Sequence, residues 1–422
     1  MSINFNSSLR ICILGYRSNP HCGGQGVYIK NLSRALSDLG HRVDVVSGPQ
    51  YPDLDDDINL IKLPSLDLYN PEDLFRLPKM YELLDVTNFI EWFGMSTMGF
   101  PEPFTFGMRA NAFLKKCSNK YDIVHDNQSL SYGLWSIKRR IPTVATIHHP
   151  ITVDRELEVK AETLLWRKLK QLRWYSFIYM QKKVAKTLPH IITVSSCAQK
   201  DISKDFKIPL EKFSIIPNGI NTDLFYPIPE IKREKNRVIV TNSADTPLKG
   251  LFFLLKSISE ISKKRDIKLV VVGSPKKNGH VIKLIKELNI GKIVTFTGRI
   301  SNGDFVREYA KATVAVVPSV YEGFGLPAGE AMACGIPVIS TTGGALPEVV
   351  GDGGILIPPA DHHALTSAIL NVLDNPGLAQ RLSEAGFRRV QNHLTWKAAA
   401  QKTADVYRKV INANGRFSAI KH

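Results

Sequence analysis

The chain has 422 residues, of which 44% are hydrophobic and 22% charged, a composition typical of a folded globular protein rather than a disordered one. Its length exceeds that of an ordinary single core, so two domains are expected, and no run of 18 or more apolar residues predicts a membrane-spanning helix. The formal net charge of +16 permits three kinds of partner: nucleic acid, an anionic membrane surface or phosphorylated small molecules. The five cysteines form no Cys-x-x-Cys pair, which argues against a disulfide framework or zinc site and favours a reducing cytosol.

The first half of the chain alternates between predicted strands and helices. "RICILGY" predicts a strand, "GGQGVYIKNLSRALSDLG" a helix that ends at Gly40, and "RVDVVSG" a second strand, so these segments form a βαβ unit. Further strands are predicted at "YDIVHDN", "TVATIHH", "IITVSS" and "FSIIPNG". Helical stretches separate them, notably a long segment from Arg155 to Lys186.

A second alternating series begins near residue 237, with predicted strands at "RVIVTNS", "IKLVVVGS", "IVTFTGR", "TVAVVPS", "IPVISTT" and "GILIPP". This pattern indicates an α/β protein in which parallel sheets are covered by helices on both faces. We predict a first domain over residues 1–216, a linker over 217–236, a second domain over 237–395, and a final helix and tail over 396–422 that could pack back on the first domain. Ligands bind at the carboxyl ends of such strands, so two facing sheets would form an interdomain cleft.

The stretch "EGFGLPAGE" places two glutamates around a turn at the end of a predicted strand. Pro327 suits the first turn of a helix, and free N–H groups from Leu326 to Gly329 would form an anion site beside Glu322 and Glu330. Carboxylates in that position suit hydrogen bonding to the hydroxyls of a sugar or ribose. The alternative is that Glu330 complements the helix dipole and Glu322 is a solvated loop residue.

Other candidates are weaker when taken singly. Gly23 and Gly24 follow the first strand without a complete dinucleotide fingerprint, His148 and His149 end the strand "TVATIHH", and Lys249 opens a helix where a cation could meet a phosphate. Each of them also has an ordinary structural explanation: a tight turn, a structural histidine or a solvated lysine.

Two segments are rich in aromatic residues. "LLWRKLKQLRWYSFIYMQKKVAK" (164–186) interleaves cations and aromatic residues at helical spacing, as in a helix that lies in a membrane interface. The alternative is an ordinary helix whose aromatic side packs inward while its lysines face water. "NFIEWFGMSTMGFPEPFTFGM" (88–108) could form an acceptor pocket, a membrane-facing patch or part of the core.

The stretch "EGFGLPAGEAMACGIPVISTTGGALPEVV" resembles the hallmark of the retaining glycosyltransferases of family four, with its E-x7-E pair at Glu322 and Glu330. Supporting motifs follow in order along nearly the whole chain: "GGQGVY", "TIHH", "IPNGI", "PLKG", "FTGRIS" and "GDGGILIPP". The resemblance implies the GT-B fold, in which two Rossmann-like domains face each other.

The resemblance also implies donor-binding roles in the second domain. Glu330 would hold the ribose hydroxyls of a sugar nucleotide, Glu322 would orient the donor sugar, and Lys249 would neutralise the diphosphate. The backbone around the turn would contact the sugar and diphosphate, and the base would stack near the strand that precedes it; these donor contacts are Gly323, Phe324, Gly325, Leu326, Arg299 and Ile300.

In the first domain the resemblance implies contacts on both substrates. His148 matches the family's strand-end histidine near the reacting carbon and would be catalytic together with Glu322 and Lys249. Gly23 and Gly24 would approach the donor phosphate. The implied acceptor contacts are Gly24, His148, His149 and Asp126.

The implied activity is retaining transfer of a hexose from a UDP- or GDP-sugar to an acceptor hydroxyl by front-face displacement, with no metal and no cofactor. The acceptor would be a glycan, lipid or small molecule, and the enzyme would be cytoplasmic, with peripheral contact to an anionic membrane and no nucleic acid partner. Alternatives are another sugar-nucleotide enzyme, such as an epimerase or hydrolase, and a non-catalytic basic module that binds membrane or nucleic acid. One departure is that Ser243 and Ala244 stand where the family usually has a diphosphate-binding arginine.

Overall fold

Two parallel β-sheets organise the chain into two units. In a computed structural model, the described residues are 7–19, 24–70, 73, 76–241, 247–276 and 279–419. The first unit comprises Met1–Val194, Ala198–Ile216 and Ala399–His422, and the second comprises Ser195–Cys197 and Pro217–Ala398. The predicted α/β class with two parallel-sheet domains is therefore confirmed. The predicted boundaries at residues 216, 236 and 395 stay predictions.

The sheet of the first unit has seven strands in the order β3-β2-β1-β4-β5-β6-β7, and its strand pairs are parallel. The central strands are buried along their length, as expected when helices cover both faces of a sheet. The strands are β1 (Arg10–Gly15), β2 (Arg42–Ser47), β3 (Asn59–Lys62), β4 (Ile123–Asn127), β5 (Thr143–Ile147), β6 (Ile191–Thr193) and β7 (Phe213–Ile215).

The described helices of this unit include the last helix of the chain, α16, which belongs to the first unit from Ala399 onward. They are α1 (Gly24–Asp38), α2 (Val86–Ser96), α3 (Glu102–Lys116), α4 (Gly133–Ile137), α5 (Ile151–Ala161), α6 (Leu165–Trp174), α7 (Phe177–Thr187), α8 (Ser196–Phe206, mostly in this unit) and α16 (Trp396–Ala419).

The predicted long helical segment from Arg155 to Lys186 is wrong as a single element, because the structure divides it among α5, α6 and α7. The backbone is extended at Glu162 and Leu164, and it turns again at the boundary between α6 and α7. Trp174 at the end of α6 stacks on Phe100, with ring centroids 5.0 Å apart, and Phe177 at the start of α7 meets the same ring.

The sheet of the second unit has six strands in the order β10-β9-β8-β11-β12-β13, which is the Rossmann order. Its strands are β8 (Arg237–Thr241), β9 (Lys268–Val272), β10 (Val294–Phe296), β11 (Val314–Val317), β12 (Val338–Thr341) and β13 (Gly354–Ile357). Its helices are α9 (Leu251–Ser262), α10 (His280–Glu287), α11 (Asn302–Lys311), α12 (Leu326–Ala333), α13 (Leu346–Val350), α14 (His362–Asp374) and α15 (Pro376–His393).

In both sheets the strand order reverses next to the first strand of the unit. This switch point lies between β1 and β4 in the first sheet and between β8 and β11 in the second. Connections leave to opposite sides there, so a crevice opens at the carboxyl ends of these strands, and it is the usual ligand position in such sheets. Among the described helices, none is long and apolar enough to cross a membrane.

Candidate active site

The switch point of the second unit brings together two charged residues that are 73 positions apart in the chain. Lys249 ends a short 3-10 helix (Pro247–Lys249) after β8, and Glu322 follows β11. The Lys249 ammonium donates to Glu322 Oε1 at 2.7 Å, and the Ser319 hydroxyl donates to the same oxygen at 2.8 Å. The Glu322 side chain is 12% exposed and that of Lys249 33%, so the pair can be reached from solvent.

Close backbone packing holds this pair in place. The N–H of Val320 donates to the Leu248 carbonyl at 2.7 Å, which ties the loop after β11 to the 3-10 helix that carries Lys249. Gly250 has a φ of +68°, and a Cβ there would lie 1.9 Å from the Pro318 carbonyl oxygen. Only glycine fits this position without moving the two loops apart.

Helix α12 begins directly after the turn, with Gly325 as its N-cap at a φ of +103°. The Ala328 N–H donates to the Gly325 carbonyl at 3.0 Å, and Pro327 has no N–H. The predicted run of free N–H groups from Leu326 to Gly329 is therefore wrong at Pro327 and Ala328, and the ligand contact at Leu326 stays a prediction. Phe324 is 7% exposed, so its side chain anchors the turn, and any contact of Phe324 or Gly323 with a ligand would come from the backbone.

Glu330 lies in the first part of α12 with intermediate exposure. The surrounding protein removes enough hydration to raise the pKa of its carboxyl group to about 7. Among the residues that the structure describes, none hydrogen-bonds to its carboxyl oxygens. A carboxylate that is largely desolvated and lacks a donor is suited to accept hydrogen bonds from hydroxyl groups of a ligand.

Arg299 and Ile300 follow β10, at the far edge of the sheet from Glu322. Arg299 is exposed, and Ile300 is one of the residues lining an open cavity of about 590 Å³ that includes neither Lys249 nor Glu322. The base contact at these two residues stays a prediction.

At the end of β5 in the first unit, His148 is fixed on several sides. Its backbone N–H donates to Gln128 Oε1 at 2.8 Å, and its Nε2 lies 2.8 Å from Asn127 Oδ1. The ring of Tyr28 from α1 meets the imidazole edge-on, with centroids 4.7 Å apart. Burial, with smaller contributions from His149 and His125, lowers the pKa of His148 to about 3, so its imidazole is neutral at physiological pH.

Two further predicted acceptor contacts have protein partners in this structure. His149 Nε2 lies 2.8 Å from Asp154 Oδ2. The Asp126 carboxylate is fully buried and accepts from the Ser129 hydroxyl and from the Leu130 N–H, and burial raises its pKa to about 6. Asp126 therefore holds the loop after β4, and its contact with an acceptor stays a prediction.

Some predicted residues give no further geometry. Gly24 begins α1, and a Cβ there would meet nothing within 4 Å. Gly23 lies outside the described residues, as do Ser243 and Ala244 at the position of the expected arginine.

Sequence reasoning missed Ser319, and it missed Tyr28, His125, Thr146 and Tyr407 around His148. Ser319 directly follows the "VAVVP" strand run, and this position at a strand end was the available signal. The others are buried polar residues within elements, where one sequence offers no comparable signal.

One cluster within the described part of the chain has the composition of a metal site. Glu260 Oε1 lies 3.2 Å from His362 Nε2 and 3.4 Å from His363 Nδ1. Glu260 is about 13 Å along α9 from the end that follows Lys249, so a cation there would not reach the diphosphate position.

Known proteins match the chain over nearly its whole length. A profile described as "Glycosyltransferase Family 4" matches residues 22–224, and one described as "Glycosyl transferases group 1" matches residues 226–389. The MMP alpha-(1->4)-mannosyltransferase of Mycolicibacterium hassiacum is 45% identical over 408 residues, which cover 96% of this chain and 98% of that protein. The chain belongs to the group 1 glycosyltransferases.

Solved structures agree with the fold of this glycosyltransferase. Sucrose-phosphate synthase from Thermosynechococcus elongatus superposes with a TM-score of 0.73 at 25% identity, covering 96% of this chain and 100% of that one. Anabaena HepE, solved in complex with UDP and glucose, superposes with a TM-score of 0.67 at 16% identity, covering 94% of this chain and 99% of that one. The GT-B fold implied by the motifs is confirmed, and enzymes of this group use nucleotide-sugar donors.

Proposed function

We propose that this glycosyltransferase moves a mannosyl residue from a nucleoside diphosphate mannose to a hydroxyl of a glycan, with retention at the anomeric carbon and without a metal. The choice of mannose is supported by the relative at 45% identity, which is named as a mannosyltransferase. GDP is the first nucleotide to test as the donor's leaving group, with UDP as the alternative.

One observation carries the proposal: Lys249, Ser319 and Glu322 converge at the switch point, and Glu330 follows in α12 with no hydrogen-bond donor among the described residues. In the free enzyme Lys249 and Glu322 satisfy each other. A bound donor would separate them, because its diphosphate attracts the ammonium while a sugar hydroxyl donates to the carboxylate. Glu330 would take the ribose hydroxyls.

This exchange of partners fits the charges that develop in the reaction. Breaking the sugar–phosphate bond builds positive charge on the sugar and negative charge on the departing diphosphate. Lys249 would stabilise the diphosphate, and the fixed dipoles of the turn would need no rearrangement as that charge grows. The acceptor oxygen attacks the anomeric carbon from the side of the leaving group, and a phosphate oxygen takes the acceptor proton.

His148 is neutral in this scheme, since its lowered pKa keeps the imidazole uncharged. It would therefore orient the sugar by hydrogen bonding and would not add a second cation near a centre that becomes positive.

The test is an assay with GDP-mannose, UDP-mannose and UDP-glucose, each with and without a manno-oligosaccharide acceptor and with EDTA or magnesium. We expect an α-mannoside only with acceptor present, equal rates in EDTA and magnesium, and loss of product in Glu322→Gln. Free mannose formed at the same rate without acceptor would support a hydrolase or epimerase instead. Binding to nucleic acid or to anionic vesicles that survives both Glu322→Gln and Glu330→Gln but decreases steeply with salt would favour a non-catalytic basic module.

We also propose that the enzyme is cytoplasmic and contacts an anionic membrane through the first unit. Helix α6 has no buried residue, whereas α7 buries Ile178, Met180 and Val184, so the inward-packing alternative fits α7 and leaves α6 as the candidate membrane contact. The exposed apolar residues of α6 are Leu165, Trp166, Leu169 and Leu172. Those of α2 and of the 3-10 helix Met80–Leu84 that precedes it are Met80, Tyr81, Leu84, Val86, Phe89 and Phe93. Arg173 Nη2 donates to Thr97 Oγ1 at 2.9 Å, which joins the carboxyl ends of α6 and α2.

Charge supports a lipid surface as the partner of these apolar residues. Helix α6 carries four cations and no acidic residue in "LWRKLKQLRW", as expected for a helix on anionic headgroups. Sedimentation with phosphatidylglycerol vesicles should recover the enzyme, and the double variant Trp166→Ala, Leu169→Ala should remain in solution. Leu210→Ala, another exposed leucine in the first unit, is the matched control. Equal sedimentation with phosphatidylcholine alone would exclude the electrostatic part of this proposal.

A further inference from the structure

A chain of hydrogen bonds crosses the interior of the first unit from α16 to the end of β5. Tyr407 Oη lies 2.5 Å from His125 Nδ1, and His125 Nε2 lies 2.7 Å from Thr146 Oγ1. The hydroxyl of Tyr28 lies 2.9 Å from the same threonine oxygen. The four residues come from α16, β4, β5 and α1, so the chain joins segments that are up to 282 positions apart.

All members of this chain are buried and uncharged. Tyr407, His125 and Thr146 are fully shielded from solvent, and Tyr28 is 4% exposed. Burial lowers the pKa of His125 to about 3 and raises the pKa of both tyrosines above the ordinary range. The polar atoms therefore depend on one another for hydrogen bonds, because water does not replace a lost partner there.

The neutral imidazole of His125 allows two arrangements of the protons. If Tyr407 donates to Nδ1, then Nε2–H donates to Thr146; if Thr146 donates to Nε2, then Nδ1–H donates to Tyr407. In both arrangements the Tyr407 hydroxyl decides whether His125 has a partner on each side. Removing that hydroxyl leaves Nδ1 unsatisfied and frees the imidazole to change tautomer or tilt.

The end of this hydrogen-bond chain that is formed by Thr146 and Tyr28 borders His148 in two ways. Thr146 stands two residues before His148 at the end of β5, and the Tyr28 ring meets the His148 ring at 4.7 Å and 83°. The Tyr28 ring also meets His125 edge-on, at 6.2 Å. A shift of His125 or Thr146 would therefore move the surface against which His148 rests.

We propose that Tyr407 is a positioning residue that fixes His148 through His125, Thr146 and Tyr28. The last helix of the chain thereby completes the site of the first unit. The effect on catalysis rests on the proposed function, in which His148 orients the donor sugar, whereas the mechanical coupling does not depend on it.

The test compares Tyr407→Phe with Tyr121→Phe in the full-length enzyme. Tyr121 is a matched control, since it is 7% exposed in the same unit and donates to Asp44 Oδ2 at 2.7 Å. It precedes β4, so it lies at the amino ends of the parallel strands, whereas His148 lies at their carboxyl ends. Three kinds of measurement are made on each protein: ring-nitrogen NMR spectra of ¹⁵N-histidine, the melting temperature, and steady-state kinetics that give kcat and KM for GDP-mannose.

Both variants should lose stability, since Tyr407→Phe leaves Nδ1 of the buried His125 without a partner and Tyr121→Phe removes a hydrogen bond to the partly buried Asp44. Only Tyr407→Phe should shift the His125 and His148 signals and lower kcat by about tenfold, with KM for the donor within about twofold of the wild-type value. Unchanged His148 signals in Tyr407→Phe overturn the proposal, and so does a kcat equal to that of Tyr121→Phe. If the wild-type enzyme transfers no mannose, the proposed function fails, and the NMR signals still decide whether Tyr407 positions His148.

Discussion

Lys249 and Glu322 form an ion pair, and we expect the two residues to have different roles once a donor binds. Lys249→Gln should weaken GDP binding by about tenfold to a hundredfold, because a charge-assisted hydrogen bond to the diphosphate contributes about 1.5–3 kcal/mol. Glu322→Gln should leave GDP affinity equal or higher, since the ammonium no longer has a competing carboxylate, while kcat decreases at least about tenfold. Calorimetry with GDP and initial rates measure the two effects. Parallel losses of GDP affinity in both variants would contradict separate roles.

Glu330 predicts a pH dependence of donor binding. Burial raises its pKa to about 7, so the carboxyl group is mostly protonated at pH 6 and mostly ionised at pH 8. Ribose hydroxyls donate best to the ionised form, so the Kd of GDP-mannose should decrease by about tenfold between pH 6 and pH 8. The intact sugar nucleotide is the ligand of choice because its diphosphate does not titrate in this range. Glu330→Gln should bind more weakly and show a flat profile, and a wild-type profile equally flat would exclude the assigned role.

At this scale the sequence indicated the charged residues and missed their partners. A glutamate after a buried strand and a lysine before a helix are visible as strand-end positions, and Glu330 is visible in the first turns of the helix that follows. The Lys249–Glu322 distance and the Ser319 contact depend on how two loops pack across 73 residues of chain. Such long-range packing leaves no local pattern. The same is true of His125 and Tyr407.

The short helix that carries Lys249 depends on one residue, Gly250. Gly250→Ala should lower the free energy of unfolding by about 2 kcal/mol or more, since alanine at a positive φ costs about 1–2 kcal/mol and its Cβ would also collide with the Pro318 carbonyl. It should weaken GDP binding as well, because the collision displaces Lys249. Gly377→Ala in α15 is the control: a Cβ there meets nothing within 4 Å, and alanine should stabilise the helix by up to about 1 kcal/mol. Denaturant unfolding and calorimetry compare the two.

At the scale of elements, alternation of short apolar runs with helical spacing was enough to predict the strands of both sheets except β3, a four-residue strand at the edge of the first sheet with no fully buried residue. The segment from 88 to 108 left three interpretations open, because α2 keeps several apolar side chains exposed and buries Glu91 instead, which pairs with Arg109 at 2.7 Å. Hydrophobic patterning assumes the reverse arrangement. The division of the segment from 155 to 186 into three helices was equally hidden, since the segment contains no glycine or proline that would mark its turns.

At the scale of the whole molecule, the first unit is not continuous in sequence, because its segment Ala399–His422 follows the second unit. A chain that stops after Ala398 should lose stability in the first unit by several kcal/mol, because burying one large apolar side chain contributes about 1.5–3 kcal/mol and α16 buries several. Hydrogen exchange should accelerate in β1, β4 and β5 and stay unchanged in β8 and β11. GDP affinity should persist. Uniform acceleration in both sheets would show that the two units do not unfold separately.

The return of α16 to the first unit also has a consequence during protein synthesis. The seven strands of the first sheet are made before Tyr407, which contacts His125 in the centre of that sheet. At about 5–20 residues per second, the roughly 200 residues between β7 and Tyr407 take about 10–40 s to translate. During that interval the first unit lacks the buried apolar residues of α16, among them Val406, Tyr407 and Val410. The hydrogen bonds that lead from α16 towards His148 are therefore completed only after the second unit has been translated.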